Sequence, residues 1–294
     1  PRAGYELRTI NAYGLSKKIS IQTLKNNIKT LKGFGEARKI IKEFKPDIVI
    51  GTGGYICGAV ITAAKKYNIP TLPRIKHAKN VVFTGTPVKK KKIDYTIEEK
   101  KKILEQYGLN MLRPTVLVFG GSQGAQKINE TIVDIIKNKF NKEYQIIWAT
   151  GPKQYDTIKE ELENIGININ HIENIKIVPY IYNMEEIMNV VDLIIARSGA
   201  MTIAEISNLG KPSILIPLPN VSNNHQLYNA KVLENLKAAK IILNNALTGN
   251  VLNNEINEII LNKKQLDEMG KNALKASVSD VENKIYREIE KLVP

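Results

Sequence analysis

Four stretches of this 294-residue sequence pair the end of an apolar run with glycines or amides, the residue types that let a backbone or a neutral side chain hold a polar ligand closely. In "VFGGSQGAQKINE" (118–130), Gly120 and Gly121 end a strand-like run, Ser122 and Gln123 follow, and Gly124 leads into a helical pattern. A turn of this kind exposes backbone N–H groups at a helix N-terminus and adds a serine hydroxyl, which suits a diphosphate. No Gly-Lys-Ser/Thr follows, and the glycine spacing is not that of a dinucleotide fingerprint. In "ARSGAMTIAEISNLGKP" (196–212), Thr202 and Glu205 lie three apart on one helix face, where a carboxylate can accept two hydroxyl hydrogens of a sugar diol. In "PLPNVSNNHQLYNAKVLE" (217–234), Asn223, Asn224, His225, Gln226 and Asn229 offer donors and acceptors together, as sugar hydroxyls require. The fourth stretch, "DIVIGTGGYICGAV" (47–60), brings Gly51, Gly53 and Gly54 to a strand end. On residue types alone each has a plainer reading: a tight turn, a surface charge in a first helical turn, or helix capping.

The elements that must present these loops alternate between strand and helix. Strands are expected at 47–50, 80–83, 115–119, 144–149, 174–178, 192–196 and 213–216, and helices at 58–67, 125–138, 155–164, 184–190, 201–209, 224–235 and 254–276. Such alternation implies an α/β protein with parallel sheets covered on both faces, whose ligands sit beyond the strand C-termini. A division near "TGTPVKKKK" (84–92) gives two doubly wound domains, 1–90 and 91–294. The segment 16–44 differs. Ile21, Leu24, Ile28 and Leu31 recur at helical spacing with Phe34 behind them, and Lys25, Lys29 and Lys32 flank that stripe. That pattern fits a helix lying on an anionic bilayer surface, or equally a core helix with a solvated basic face. Gly33 and Gly35 are expected to end it before a second helix over 36–44.

Composition narrows the chemistry. The net charge of +14 resides in the first third, where residues 1–90 carry 18 Lys and Arg against 4 Asp and Glu. A one-sided field of this kind attracts an anionic partner: a diphosphate, an anionic lipid surface or a nucleic acid. A nucleic-acid-binding protein fits poorly, since no aromatic interleaving or reading motif accompanies the charge. One cysteine, Cys57, and three dispersed histidines (His77, His171 and His225) leave no Cys- or His-based metal site. No apolar run approaches the roughly 20 residues of a membrane span.

Taken in order, "GTGGYICGA", "TGTPV", "GGSQGAQKIN", "RSGAMTIAE" and "NNHQLYNA" resemble the MurG family of UDP-N-acetylglucosamine transferases, from about Gly4 to Leu292. The resemblance implies a GT-B fold, two Rossmann-like domains facing across a cleft, with the last helix packing back on the N-terminal domain. It implies inverting, metal-independent transfer of N-acetylglucosamine from UDP-N-acetylglucosamine to undecaprenyl-diphospho-muramoyl-pentapeptide in peptidoglycan synthesis, with no cofactor. The implied place of work is the cytoplasmic face of the cell membrane, on its anionic inner leaflet, with no nucleic acid as partner. A related GT-B enzyme acting on another lipid such as diacylglycerol is the alternative.

By position, the resemblance puts Gly121, Ser122 and Gln123 on the donor diphosphate and Glu205 on the ribose. Ile181 falls beside the uracil, and Arg197, Ala200, Met201 and Thr202 fall around diphosphate and sugar. His225 and Gln226 read the sugar hydroxyls, and Asn129 is a further donor-site position. Gly53, Gly54, Tyr55 and Lys89 face the acceptor, and Ile28, Leu31 and Phe34, with Lys25, Lys29 and Lys32, face the membrane. His225 stands where members carry Gln, and Lys89 where they often carry Arg. Members also begin with a strand and a glycine loop ending in His and carry a "HEQN"-type segment after the strand matching "NIPTL". This sequence starts beyond the first, and Leu72 runs directly into "PRIKHAKN", so no general base is named among the residues present.

Overall fold

The computed structural model describes residues 4–11, 21–53, 55–73, 81–88, 92–121, 124–169, 172–221 and 224–293, with the side chains of 21–29, 31, 55 and 73 outside that description. By its contacts the chain divides into two compact units, residues 1–84 with 280–294, and residues 85–279.

In the first unit, α1 (Ile21–Phe44) packs on α2 (Tyr55–Lys66) beside two parallel strands, β1 (Val49–Gly51) and β2 (Thr71–Pro73). The closing helix α11 (Val281–Glu290) groups with this unit. Helix α1 runs unbroken through Gly33 and Gly35, contrary to the expected stop there. Glycine costs a helix about 1 kcal/mol per residue, but here tertiary packing decides: Gly33 is buried, and Ala37 and Ile41 close onto Ala59, Ala63 and Ala64 of α2. Phe34 packs against the same small core, so it does not stand free as a membrane-facing residue. Lys32 is exposed, and the side chains of Lys25, Ile28, Lys29 and Leu31 lie outside the described residues. Residues 81–83, expected as strand, carry no ladder, and Val81 and Phe83 are 78% and 79% exposed.

In the second unit, the described residues form a six-stranded parallel sheet in the order β5-β4-β3-β6-β7-β8. Its strands are β3 (Thr115–Phe119), β4 (Gln145–Ala149), β5 (Ile175–Val178), β6 (Leu193–Ala196), β7 (Ser213–Leu215) and β8 (Ala239–Ile241). The chain winds outward from β3 through β4 to β5, then returns to β6 on the other side and continues to β8. That is the Rossmann arrangement, with its switch point between β3 and β6. All five residues of β3 and of β4 are buried, because helices cover both faces. The covering helices are α4 (Gln126–Lys137), α5 (Pro152–Asn164), α6 (Met184–Val190), α7 (Ala200–Leu209) and α8 (His225–Asn235). The single helix expected over 254–276 is two, α9 (Gly249–Ile260) and α10 (Lys263–Leu274), because Asn262 accepts the Gln265 N–H and starts a new helix. Helix α3 (Ile97–Glu105) was not expected; Thr96 and Glu99 form a reciprocal capping box at its start.

At the sheet edge opposite the glycine loops, Lys211 is half-buried and its Nζ donates to the carbonyls of Asn189 (2.7 Å) and Val191 (2.8 Å), closing the end of α6. Burial pushes its pKa down to about 8, against the pull of Asp192, with Lys100 and Lys92 pushing the same way as burial. The folded pKa lies below the unfolded value, so between about pH 8 and pH 10.5 the unfolded chain binds more protons and stability from this group rises with pH. Measured by urea denaturation, the stability of the native protein relative to Lys211→Met is expected to increase across that window by on the order of 1–3 kcal/mol; a flat difference would remove the assignment.

Candidate active site

Phe119 and Ala196 are register partners in neighbouring parallel strands, so the chain leaves the sheet side by side at Gly120 and Arg197. Ala196 also pairs with Leu215, which brings Ile216 and Pro217 to the same edge. Three of the sequence's loops thus converge where a doubly wound sheet binds ligands. A cleft of about 700 Å3 opens there. Gly120, Gly121 and Gly124 line it from the first loop, Arg197 from the second, and Leu218 and Gln226 from the third.

The glycines of the first loop have different reasons to be glycine. A Cβ on Gly120 would meet the Ala125 nitrogen at 2.3 Å, and one on Gly124 the Thr150 carbonyl oxygen at 2.3 Å. Both are forced by close backbone approach. Gly121 has φ +87° and nothing within 4 Å of a would-be Cβ, so its backbone stands open at the cleft. Ser122 and Gln123 lie outside the described residues. Helix α4 starts after Ala125 and α7 after Gly199, neither start carrying a side-chain cap, whereas α3, α9 and α10 are capped by Thr96, Thr248 and Asn262. Capless starts also occur at α5, α6 and α11, so the bare N-termini matter here only because they adjoin the cleft loops.

Asn129 is not a cleft residue. It is 2% exposed, its Nδ2 donates to the Thr150 carbonyl (2.8 Å) and Gln154 Oε1 (2.9 Å), and its Oδ1 accepts the indole N–H of Trp148 (2.9 Å). Its amide is spent on holding the β4 end against α4, the same carbonyl that Gly124 approaches. Arg197 is 9% exposed, and Nη1 donates to the carbonyls of Ile216 (3.1 Å) and Pro217 (3.3 Å). Burial lowers its pKa, while its Nε has no partner. Ser198 donates to the Gln226 carbonyl (2.8 Å), Asn229 donates to the Ser198 carbonyl (3.0 Å), and Gln226 Oε1 accepts the Leu218 N–H (3.0 Å). The second and third loops are therefore laced together. Asn224 begins α8 at φ +47° with no side-chain cap bond, and the amides of Gln226 and Asn229 tie α8 to Leu218 and Ser198 instead.

On α7, Ala200, Thr202 and Glu205 are half-buried and Met201 is 51% exposed. His225 is exposed. Ile181 is 3% exposed with its side chain in the core, flanked by the exposed Tyr180 and Tyr182, whose rings meet edge-on with centroids 5.0 Å apart. In the first unit, a Cβ on Gly51 would meet only side chains, the nearest being the movable Cδ1 end of Ile61 at 2.5 Å. Gly53 takes φ +106° in open space, and its carbonyl accepts from Cys57 Sγ (2.7 Å). Gly54 and Lys89, and the Tyr55 side chain, lie outside the described residues. Cleft-lining Lys127, Glu130 and Asn244 were not anticipated; "QKINE" and "LNNALTG" carry no spacing that singles them out. Among the described residues, no group of three His, Cys, Asp or Glu gathers at a metal-binding distance, and no helix is long and apolar enough to cross a membrane.

Residues 1–83 match the glycosyltransferase family 28 N-terminal domain, and residues 115–285 match its C-terminal domain. The chain is 40% identical to the UDP-N-acetylglucosamine–N-acetylmuramyl-(pentapeptide) pyrophosphoryl-undecaprenol N-acetylglucosamine transferase of Thermoanaerobacter sp. (strain X514), over 99% of this chain and 87% of that one. It is 37% identical to the protein of the same name from Ruminiclostridium cellulolyticum, over 100% and 87%. This chain belongs to the MurG family. The crystal structure of Acinetobacter baumannii MurG superposes with a TM-score of 0.63 at 25% identity, covering 90% of this chain and 79% of that one. A Rickettsia africae glycosyltransferase, at 14% identity and a TM-score of 0.61, shares the fold over 95% of this chain and 83% of its own. The protein is thus a glycosyltransferase of the GT-B fold, and its six-stranded unit is the family's C-terminal domain.

The two kinds of glycine separate by substitution. Gly124→Ala is expected to cost about 2–3 kcal/mol of stability, from a left-handed backbone plus a clash with backbone. Gly121→Ala should cost only about 1 kcal/mol yet weaken nucleotide binding. Urea denaturation followed by the emission of Trp148, the single tryptophan, together with titration calorimetry, checks both. Equal stability losses would show that the loop is only a tight turn.

Proposed function

We propose that this protein transfers N-acetylglucosamine from UDP-N-acetylglucosamine to the C4 hydroxyl of the muramoyl sugar of undecaprenyl-diphospho-muramoyl-pentapeptide, in peptidoglycan synthesis. The observation that carries the reading is the convergence of the Gly120–Gly124 turn, Arg197 and Gln226 on one cleft at the switch point of a parallel sheet. A nucleotide diphosphate laid there meets open backbone at Gly121 and the starts of two helices.

The acceptor hydroxyl attacks the anomeric carbon from the face opposite UDP and loses its proton to a base, inverting the centre. Negative charge developing on the departing UDP is met by helix N-termini, backbone N–H groups and the Arg197 guanidinium. Because these are already oriented, the transfer runs without a divalent cation in this reading. Glu205, one turn into α7, holds the ribose hydroxyls. Gly53, Gly54 and Tyr55 of the first unit, with Lys89 just beyond its boundary, serve the acceptor diphosphate.

The first unit also brings the enzyme to an anionic bilayer as a peripheral protein on the cytoplasmic side. Lys32, Arg38, Lys39, Lys42 and Lys45 on or just beyond α1, and Lys65 and Lys66 at the end of α2, are exposed and solvated. Attraction of exposed lysines to acidic headgroups fades within a Debye length of about 8–10 Å at physiological salt.

A transfer assay with UDP-N-acetylglucosamine and a muramoyl-lipid analogue tests the activity. Product is expected with that donor over UDP-glucose, and at the same rate with EDTA as with magnesium; a rate that collapses in EDTA would overturn the cation-free reading. Glu205→Ala is expected to weaken donor binding by about 1–3 kcal/mol, and unchanged affinity would remove the ribose role. Binding to vesicles with anionic lipid should exceed binding to neutral ones and fall as salt rises; equal binding to both would refute the electrostatic docking.

A further inference from the structure

Two polar atoms at the cleft are buried and have no partner. One is Nε of Arg197, and the other is Oδ1 of Asn244, in the loop between β8 and α9. Leaving a buried polar atom unbonded costs a folded protein free energy, and of the six such atoms among the described residues these two belong to residues that line the cleft, where a ligand can complete them. The two differ in sign. Nε can only donate, and so suits an oxygen of the donor diphosphate. Oδ1 can only accept, and a phosphate ester ionised at neutral pH has no hydrogen to give it.

We propose that Asn244 is a donor-binding residue whose side-chain carbonyl accepts a hydrogen bond from a hydroxyl or amide N–H of the bound nucleotide sugar. The inference rests on the reading of the cleft as a nucleotide-sugar site and goes further, placing a discriminating contact on a fourth loop. Gly120, Gly121 and the start of α4 line the same cleft, so the phosphate-holding turn and this acceptor serve one ligand. The Asn244 carbonyl sorts the ligand's neutral donors from its anionic part, and Arg197 does the converse.

The test measures binding of UDP and of UDP-N-acetylglucosamine by titration calorimetry, well below the melting transition, for the native protein, Asn244→Leu and Asn244→Ala. Leucine keeps the volume and removes the acceptor, and alanine guards against a misfit of leucine. A roughly 3- to 10-fold loss of affinity is expected, with no fall in the ligand-free Tm, because the atom removed had no partner to lose. Loss for UDP-N-acetylglucosamine alone places the contact on the transferred sugar, and equal loss for both ligands places it on the uridine. Unchanged affinity for both in either variant overturns the proposal and assigns the site to water. A fall in ligand-free Tm with unchanged affinity also overturns it, as a structural role. If the native protein binds neither ligand, the nucleotide-sugar reading itself fails, which is a different result from native binding with indifferent variants.

Discussion

Phe119 opposite Ala196 in a parallel ladder is the constraint from which the site follows. Two neighbouring strands end at the same level, and the chain after each must cross over in opposite directions to reach β4 and β7. The crossover helices are driven apart, and a crevice remains between the loops that begin them. Everything at the cleft is an answer to being placed there: backbone turned out at Gly121, a guanidinium folded back along the β7 exit, and an amide tying α8 to the β7 loop.

The loops hold still because buried groups behind them are paired. Asn129 gathers the indole of Trp148, the carbonyl of Thr150 and the side chain of Gln154, and the turn at Gly124 rests on that same carbonyl. Ser198, Gln226 and Asn229 do for the other two loops what Asn129 does for the first. Against this paired background the two unpartnered buried atoms of cleft-lining residues, Arg197 Nε and Asn244 Oδ1, stand out. Preorganised walls with a few unmet polar groups are how a site gains strength without moving at the moment of reaction.

Much of the second unit was legible from pattern. β3 and α6 fall where periodicity puts them, and the remaining expected strands and helices of the sheet fall within a few residues, because buried parallel strands read as continuous apolar runs. The misses have physical causes. Gly33 and Gly35 look like a helix stop, but small residues let α1 lie close on α2, and that packing outweighs propensity. Asn262 looks like one more polar residue in a helix, but its side chain caps a new one. The capping box of Thr96 and Glu99 stands in the sequence itself, ahead of an α3 that lacks a strong apolar stripe.

For the site itself, residue types alone determined that glycine-bearing strand ends and amides were available for an anionic, hydroxyl-rich ligand, and the order of motifs determined the family. They left open which glycines are steric and which face the ligand, since that depends on what a missing Cβ would touch. They also could not tell Asn129, an interior strut, from Asn244, an unpaired acceptor at the cleft. Both are asparagines in polar surroundings, 115 positions apart. Only the long-range pairing of strands decides which side chain finds a partner inside the protein and which is left waiting for one.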